Sequence, residues 1–278
     1  MVPERTGAYL AACTIYREDA DYLPEWIEFH RLVGVERFFL YDNGSTDDHR
    51  RVLAPYVEEG IAVVHDWARP FLGHNGRPRA IITAFEHCCG EHAGDARWVA
   101  FLDVDEFLFS PAGETLPEVL RDYEEFPGVV VNRAEFGPSG HKTKPMGLVI
   151  ESYLQRRRLR PDDEASHKSV VDPAGVTRCL SAHNFVHRDG PLVNEERRPV
   201  ELLDRSPVAW SRLRAHHYWS RSEEERHRKA QLWRETGSSR GLPRAPLADE
   251  SHSVTDDTLT RYAPEVREAL ARRGYALP

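Results

Sequence analysis

One stretch decides the fold of this chain: Trp98-Val99-Ala100-Phe101-Leu102-Asp103-Val104-Asp105-Glu106-Phe107-Leu108-Phe109. It begins as an uninterrupted apolar run and then presents three carboxylates. A run of this kind, rich in aromatic and aliphatic residues, predicts a strand that is buried on both faces. Because open α/β sheets bind ligands beyond the carboxyl ends of their strands, we expect the carboxylates to lie in a ligand site.

The pair Asp103 and Asp105 is the first candidate site. Side chains alternate along a strand, so the two carboxylates point to the same side if the extended geometry continues. Two oxygen donors on one side suit a hard divalent cation such as Mg²⁺ or Mn²⁺, which usually also binds waters and substrate phosphates. Acidic pairs are common on protein surfaces, but this one follows a buried strand. The pair therefore predicts a site for a metal-bound diphosphate.

Shorter patterns in the first half predict an alternating α/β fold. Apolar runs predict strands at residues 10–15, 37–41 and 61–64, and helical spacing predicts helices at 22–33, 48–59 and 79–92. Pro24 suits the first turn of the first helix, and Gly34 and Gly60 suit helix ends. The resulting order of strands and helices is that of a parallel sheet with right-handed crossovers.

The pattern loosens after Phe109. We expect a helix at residues 115–125, strands at 128–132, 148–150 and 168–171, a strand-like stretch at 208–210 and a loop at 136–141. Ser222 and Glu225 form a capping box before another helix, residues 237–246 are expected to be flexible, and a closing helix is predicted at 264–273. The arginines at 156–158 and 160 are interpreted as a solvated face in preference to a phosphate clamp.

No boundary divides the chain, so one domain is expected over residues 1–278. We expect a ligand-binding half at about 8–109, a smaller half at about 110–235 and a C-terminal extension at 236–278.

Composition and charge narrow the class of protein. A net charge of −8 and a pI near 6.0 leave no electrostatic footprint for nucleic acid. The four cysteines are not spaced as metal or redox pairs, and we expect reduced structural thiols in a cytoplasmic protein. We find no signal peptide and no apolar stretch approaching ~20 residues, so no transmembrane segment is expected, while peripheral membrane contact stays open. The basic residues are arginine except for Lys142, Lys144, Lys168 and Lys229, a bias that we attribute to genome composition.

Two other segments hold candidate site residues. Asp42-Asn43-Gly44-Ser45-Thr46-Asp47-Asp48 follows a predicted strand and is dense in turn and cap residues. Asp47 or Asp48 is expected to cap the next helix, whereas Asp42 could accept hydrogen bonds from a base or a ribose. Of His216 and His217, one could be a third metal ligand that favours Mn²⁺ over Mg²⁺. A buried histidine bonded to the backbone is the alternative.

Six segments occur in the order found in one known group of proteins. They are Cys13-Thr14-Ile15-Tyr16-Arg17-Glu18 with Leu23-Pro24-Glu25-Trp26-Ile27-Glu28-Phe29-His30, Tyr41-Asp42-Asn43-Gly44-Ser45-Thr46-Asp47, the acidic stretch from Phe101 to Leu108, Phe136-Gly137-Pro138-Ser139-Gly140-His141, His167-Lys168-Ser169, and His217-Tyr218-Trp219-Ser220-Arg221-Ser222. Over roughly residues 8–230 the chain resembles the family-92-type glycosyltransferases, within the wider family-2-like GT-A enzymes.

The resemblance implies the α/β fold of the GT-A class. That fold has a Rossmann-like nucleotide-binding half with a mixed central sheet, a metal-binding Asp-x-Asp at a strand end and a smaller acceptor-side half. The resemblance also implies a nucleotide-sugar donor, UDP-linked in the first place, a Mn²⁺ or Mg²⁺ ion and inverting transfer. The acceptor would be a glycan, a lipid-linked sugar or a small molecule.

Site residues follow by position in the resemblance. The expected nucleotide-sugar-binding set is Thr14, Tyr16, Glu18, Asp42, Asn43, Asp103, Val104 and Lys168, and the expected metal ligands are Asp103, Asp105 and His217. Inverting displacement needs a carboxylate that takes the proton of the acceptor hydroxyl. Glu135 is the first candidate for this base, although it could equally be a solvated residue at a strand end, and Glu195 or Glu196 is the alternative.

Three other functions stay open. In a haloacid-dehalogenase-like phosphatase Asp103 would be the nucleophile and Asp105 the general acid, but Phe107 stands where such enzymes have Thr or Val, and the acidic pair does not follow the first strand. A GT-A-like nucleotidyltransferase would need a Gly-rich, Arg-containing loop after the first strand, which the chain lacks. A non-catalytic binding protein would bind the donor and leave it intact.

Overall fold

Four apolar runs of the first half form adjacent parallel strands in the computed structural model of the chain. The structure describes residues 7–70, 79–160, 163–202, 205–235 and 253–275, and for 232–235 the backbone alone. The strands are β1 (Ala8–Tyr16), β2 (Arg37–Asp42), β3 (Ala62–Asp66) and β4 (Ala96–Phe101), in the order β3-β2-β1-β4. The helices α1 (Leu23–Leu32), α2 (His49–Glu58) and α3 (Arg79–Glu91) connect them. The predicted strands and helices of this half are confirmed, with ends that shift by a few residues.

Alternating side chains of these strands enter two separate apolar cores. On β4, Trp98 and Ala100 belong to the core that holds α1 and α2, whereas Val99 and Phe101 belong to the core that holds α3. All four side chains are fully buried. The sheet is therefore covered on both faces, which is why its strands are continuous apolar runs.

The second half extends the same sheet with antiparallel and parallel strands. Its elements are β5 (Glu106–Phe109), α4 (Leu116–Leu120), β6 (Gly128–Glu135), α5 (Val149–Ser152), β7 (Gln155–Arg156), β8 (Glu164–Val171), β9 (Val176–Cys179), β10 (Phe185–His187), β11 (Arg205–Pro207), β12 (Arg214–His217), α6 (Glu223–Glu235), β13 (Val254–Thr255) and α7 (Ala263–Arg272). The sheet continues from β4 as β8-β6-β12-β5, and β11 pairs with β8. A parallel half joined to a mixed sheet confirms the predicted GT-A class.

The chain turns within the stretch that decides the fold. Strand β4 ends at Phe101, and β5 pairs antiparallel with β12 instead of continuing β4. The backbone N–H of Glu106 donates to the carbonyl of Asp103 at 3.0 Å, and the backbone N–H of Asp103 donates to the Glu106 carboxylate at 2.8 Å. The expectation of continued extended geometry through Asp105 is therefore wrong, because these two hydrogen bonds close a tight turn.

Three predicted elements of the second half also differ. Residues 148–150, predicted as a strand, lead into helix α5, because the carboxylate of Glu25 accepts the backbone N–H groups of Val149 and Ile150 and fixes a helical first turn. The predicted helix at 115–125 is limited to α4 and a 3₁₀ turn, Arg121–Tyr123. The strand-like stretch at 208–210 is a loop, in which the backbone N–H of Ala209 donates to the Asn132 side chain.

The two helices predicted for the C-terminal part of the chain are present. The helix after the Ser222–Glu225 capping box and the closing helix are confirmed as α6 and α7. The segment predicted to be flexible, 237–246, lies outside the described residues. Among the residues that the structure describes, none of the helices is both long and apolar enough to cross a membrane.

Candidate active site

The predicted ligand residues gather at the carboxyl edge of the parallel strands. Tyr16, at the end of β1, pairs in register with Asp42, at the end of β2, and Cys13 pairs with Phe101 at the end of β4. The turn that holds Asp103 and Asp105 follows directly. The loops after β1, β2 and β4 therefore meet at one edge, where ligands of open α/β sheets bind.

Asp103 and Asp105 each contact a different lysine. The Asp103 carboxylate accepts from Lys168 Nζ at 2.8 Å, and its side chain is 34% exposed. The Asp105 carboxylate accepts from Lys229 Nζ, on α6, at 2.5 Å, and its side chain is 7% exposed. Burial opposes ionisation of both aspartates, but the neighbouring ammonium groups outweigh it, so both pKa values lie below the usual range and both groups are carboxylates.

His217 joins Asp105 to Glu135. Its Nδ1 lies 2.6 Å from Oε2 of Glu135, and its Nε2 lies 3.4 Å from Oδ1 of Asp105. Because a carboxylate can only accept, Nδ1 of His217 carries the proton of the short bond. Burial disfavours the imidazolium, but the two carboxylates outweigh it and raise the pKa of His217 to about 9.

The donor atoms at this turn fit a divalent cation. Oδ1 of Asp105 is buried and has no hydrogen-bond partner among the described residues. In the same part of the chain, one ligand atom each from Asp105, Glu106 and His217 lies within 4.8 Å of the other two. A buried carboxylate oxygen without a hydrogen bond is costly, and a metal ion bound by both Asp105 and His217 would satisfy it. Carboxylate and imidazole are ligands that suit Mn²⁺.

Glu106 lies beneath the site as the centre of a buried ion-pair cluster. Its carboxylate accepts from Arg133 Nη1 at 2.6 Å and lies 3.1 Å from Lys168 Nζ, in addition to accepting the backbone N–H of Asp103. Both of its oxygens are therefore engaged, and Asp105 and His217 are the members of the trio that are better placed to bind a metal. Lys168, predicted as a diphosphate contact, is 1% exposed and holds Asp103 and Glu106 from below.

Glu135 lies at the wall of a cavity next to His217. Besides His217, its carboxylate contacts Ser166 Oγ at 3.2 Å and Arg133 Nη2 at 3.4 Å, and its side chain is 32% exposed. Burial favours its neutral form, but the positive charges of His217 and Arg133 outweigh it and lower the pKa to about 2. The group is ionised and partly open to an incoming ligand, and it also fixes the orientation of His217.

The cavity beside Glu135 has a volume of about 180 Å³. Its polar lining comes from strands β6, β8 and β11 and from the segment after β7: Arg133, Glu135, Arg157, Glu164, Ser166 and Arg205. Glu195, the alternative base, is not in this lining. Its carboxylate accepts four hydrogen bonds from residues 211–213 and stabilises that loop. The other alternative, Glu196, pairs with Arg198 at 3.0 Å.

The predicted nucleotide residues of β1 lie at the expected edge. Thr14 is fully buried, and the Tyr16 hydroxyl is buried without a hydrogen-bond partner among the described residues. Glu18 has a φ of +57°, a left-handed conformation that is uncommon for a side-chain-bearing residue. Its carboxylate accepts the backbone N–H of Thr46 at 2.7 Å, and its own N–H donates to Ser45 Oγ at 3.1 Å. Glu18 thereby ties the loop after β1 to the loop after β2.

The polar side chains of the loop after β2 form hydrogen bonds within the loop and with the segment after β3. The Asp42 carboxylate accepts the backbone N–H of Ser45 at 2.8 Å and lies 3.4 Å from Nε2 of His49. The Asn43 amide donates to the carbonyls of Trp67 and Arg69. Of the two predicted cap residues, Asp47 accepts the backbone N–H of His49, the first residue of α2, at 3.3 Å, whereas Asp48 makes no side-chain cap hydrogen bond.

Two further predicted residues, Val104 and His216, are buried. Val104, at the apex of the acidic turn, is 4% exposed. His216 is fully buried and packs edge-on against Phe109, which confirms the burial of the alternative, but its Nδ1 lies 3.3 Å from the Tyr218 hydroxyl and its ring forms no hydrogen bond with a backbone group among the described residues. Burial lowers the pKa of His216 to about 3.

Sequence reasoning missed Lys229 and Arg221. Lys229 contacts Asp105, and Nη1 of Arg221, in the loop after β12, lies 3.6 Å from the Asp19 carboxylate. A signal for Lys229 was present in the composition: in a chain that uses arginine almost throughout, two of the four lysines contact the acidic pair. The scarcity of lysine, which we attribute to genome composition in the sequence, thus pointed to Lys168 and Lys229 as candidate site residues.

Among solved structures, that of TarS from S. aureus in complex with UDP aligns over 60% of this chain and 47% of that chain, with a TM-score of 0.36 and 14% identity. A likeness at this level supports no functional argument. The galactan beta-1,4-galactosyltransferase GALS2 of Arabidopsis thaliana is 33% identical over 107 residues, which are 37% of this chain and 20% of that protein.

The family comparison covers most of the chain. Residues 9–231 match the family model Glycosyltransferase family 92. A glycosyltransferase family 92 protein from Ricinus communis is 34% identical over 188 residues, which are 65% of this chain and 32% of that protein. The chain spans about a third of the length of the curated family 92 relatives it matches. The chain belongs to glycosyltransferase family 92.

Proposed function

We propose that this chain transfers a sugar from a nucleotide-diphosphate sugar to a hydroxyl group of an acceptor, with UDP as the first nucleotide to test. The observation that carries the proposal is the buried Oδ1 of Asp105, which makes no hydrogen bond among the described residues and faces Nε2 of His217 at 3.4 Å, at the carboxyl edge of the parallel strands. Membership of glycosyltransferase family 92 favours glycosyl transfer over the phosphatase, nucleotidyltransferase and binding-protein alternatives.

The proposal includes a divalent cation, Mn²⁺ in preference to Mg²⁺. Asp105 and His217 would hold it from the protein side, together with Asp103, whose partly exposed carboxylate borders the same turn. When bound, the ion would offset the negative charge that develops on the departing diphosphate. Glu135 orients His217 through the bond to Nδ1, as carboxylates commonly do for metal-binding histidines.

The nucleotide is assigned to the edge formed by β1 and β2. The supporting residues are Thr14, Tyr16, Glu18, Asp42, Asn43 and Val104, which lie in or next to the loops that meet there. We assign the nucleotide to about residues 8–109 and the acceptor to about residues 110–235 of a single domain. Lys229 and Arg221 bring two cations from the C-terminal segment to the border between these parts.

The transfer itself is proposed as a single displacement with inversion. The acceptor oxygen attacks the anomeric carbon, the bond from that carbon to the diphosphate oxygen breaks, and the acceptor proton passes to Glu135. Because a carboxylate with a pKa of about 2 is a weak base, it takes the proton only as the acceptor oxygen bonds to carbon and becomes more acidic. The products are the glycoside and the nucleoside diphosphate.

A donor screen tests this function. The protein is incubated with individual nucleotide sugars and Mn²⁺, and release of nucleoside diphosphate is measured, with and without a metal chelator. We expect slow metal-dependent turnover of at least one UDP-sugar, with a released sugar or glycoside of inverted anomeric configuration by NMR. If orthophosphate is released from phosphate esters, or if pyrophosphate is formed from a sugar phosphate and UTP, the alternative enzyme classes replace the proposal.

A further inference from the structure

We propose that the cavity beside Glu135 binds an acceptor that carries a negatively charged group, a carboxylate or a phosphate. The inference rests on the proposed function, because it assigns the acceptor of the same site. Three observations support it: the position of the cavity, the ion pairing of the arginines that line it, and the basic segment that contains Arg157.

The cavity lies within the reach of one sugar unit from the acidic turn. Lys168, Ser166 and Glu164 alternate along β8 and therefore point to one face of the sheet. Lys168 contacts Asp103, Ser166 contacts Glu135, and Glu164 lines the cavity. Since a strand rises about 3.3 Å per residue, the step from Lys168 to Ser166 is roughly 7 Å. A ligand in the cavity would thus lie against Glu135, beside the site assigned to the donor.

One arginine of the cavity is already neutralised. Arg133 donates to Glu106 at 2.6 Å and to Ser166 Oγ at 2.8 Å, and it lies 3.4 Å from Glu135. These contacts engage its guanidinium, and they place it among the supports of the site. Arg133 therefore forms the floor of the cavity and does not select a ligand.

Arg157 and Arg205 differ from Arg133 because both are exposed and neither forms an ion pair within the described part of the chain. Nη2 of Arg205 donates to the backbone carbonyl of Glu164 at 2.6 Å, which holds the side chain at the cavity, and its other guanidinium N–H groups have no partner among the residues that the structure describes. The backbone N–H of Arg157 donates to the carbonyl of Glu135 at 2.9 Å, which fixes its position beside the candidate base. Two open guanidinium groups suit a carboxylate or phosphate.

The cavity lining does not share the acidic character of the whole chain. The protein has a net charge of −8, whereas in the lining the two open arginines balance Glu135 and Glu164, and Arg158 and Arg160 follow Arg157 on the same segment. This excess of arginine beside the cavity favours anions. The arginines at 156–158 and 160 are interpreted from sequence as a solvated face. In the structure one of them, Arg157, lies at the wall of the candidate acceptor cavity.

Two pairs of probes that differ in charge test the inference. Methyl β-D-glucuronide is compared with methyl β-D-glucoside, and glucose 6-phosphate with glucose, by calorimetry at low ionic strength without added metal. We expect the charged member of at least one pair to bind on the order of tenfold more tightly, the effect of one charge-assisted hydrogen bond. Preference within the first pair identifies a carboxylate acceptor, and preference within the second a phosphate.

Variants assign the preference to the cavity. The double variant Arg157→Gln/Arg205→Gln should bind the two members of the pair with affinities within about twofold of each other. Arg158→Gln is the control, since it removes one positive charge at an exposed neighbouring position that does not line the cavity, and it should keep the preference. Equal binding of charged and neutral probes by the unmodified protein overturns the inference, as does an equal loss in Arg158→Gln.

A separate titration with UDP and Mn²⁺ distinguishes this inference from the proposed function. If the protein binds UDP but does not prefer the charged probes, the acceptor inference is overturned and the proposed function stands. Charge preference that depends on Arg157 and Arg205 in a protein that does not bind UDP would remove the proposed function and the acceptor assignment with it.

Discussion

Nδ1 of His217 lies 2.6 Å from Oε2 of Glu135, while Nε2 of the same ring faces Oδ1 of Asp105 at 3.4 Å. The strand register explains this relationship. His217 is opposite Glu135 in the parallel pair of β12 with β6 and opposite Glu106 in the antiparallel pair of β12 with β5. One imidazole thus links the acidic turn to the cavity wall, and its geometry is fixed by two strand partners.

Replacing Glu135 by Gln and by Ala separates its two proposed roles. The Gln amide oxygen can still accept from Nδ1 of His217, so Glu135→Gln should keep Mn²⁺ affinity within about threefold, whereas Glu135→Ala should lower it by roughly 10- to 100-fold. Both variants should lose transfer by about 10²- to 10⁴-fold if Glu135 is the base. Metal affinity is measured by calorimetry and transfer by product formation. Full transfer activity in Glu135→Gln would show that Glu135 is not the base and would leave only its role in orienting His217.

Lys229 should compete with the proposed cation for Asp105. Its ammonium lies 2.5 Å from Oδ2 of Asp105 and is about one-third exposed, so Lys229→Met should tighten Mn²⁺ binding by about threefold to tenfold. Lys142→Met, in the loop before α5, is a control that removes a lysine with no contact to the acidic pair. Manganese titration followed by electron paramagnetic resonance measures the effect. Weaker binding in Lys229→Met would mean that Lys229 supports the site instead of competing for it.

Breaking the buried cluster around Glu106 should destabilise the fold. Glu106 is fully buried and Lys168 is 1% exposed, so Glu106→Gln leaves the charges of Lys168 and Arg133 less compensated. The expected loss in the free energy of unfolding is about 3–5 kcal/mol. Urea denaturation measures it, with Asp189→Asn as an exposed control. A loss no greater than that of the control would show that the cluster does not stabilise the fold.

His30 should make stability depend on pH. Its Nδ1 lies 2.8 Å from the Trp26 carbonyl, and its Nε2 accepts the backbone N–H of Leu108 at 3.1 Å. Burial lowers its pKa to about 3, against a smaller opposite effect of the Trp26 bond. Between this value and the unfolded value of about 6.5, the unfolded chain binds the additional proton, so the free energy of unfolding falls as the pH falls below 6.5.

The size of the His30 effect can be measured with a non-titrating variant. From pH 6.5 to 5 the histidine should contribute a fall of roughly 1.6 kcal/mol in the free energy of unfolding. His30→Gln keeps a donor and an acceptor and should lose that part of the pH dependence. Urea denaturation at the two pH values provides the comparison, and identical slopes for the two proteins would contradict the assignment.

The parallel half could be predicted because its information is local. Each strand is a continuous apolar run, and turn residues such as Gly34, with a φ of +104°, mark the helix ends. The same reasoning placed Asp42 and Asp103 at one edge, since carboxyl ends of parallel strands meet there.

The features that the sequence did not predict have a common physical cause, which is contact between residues that are distant in the chain. Helix α5 begins where it does because Glu25, 124 positions earlier in the chain, accepts its first N–H groups. Lys229 is also 124 positions from Asp105. The turn after β4 escaped prediction because residues 102–109 have a strand pattern, and only the pairing of β5 with β12 shows that a second strand begins at Glu106. Local patterns contain no information about such partners.

The most direct test of the account is calorimetric binding of UDP with and without Mn²⁺, using the unmodified protein, Asp103→Asn, Asp105→Asn and the exposed control Asp189→Asn. We predict that the unmodified protein and Asp189→Asn bind UDP only when Mn²⁺ is present, and that both variants of the acidic turn lose this metal-dependent binding while they remain folded. UDP binding that is equally strong without metal, or unchanged in both Asp103→Asn and Asp105→Asn, would contradict the account.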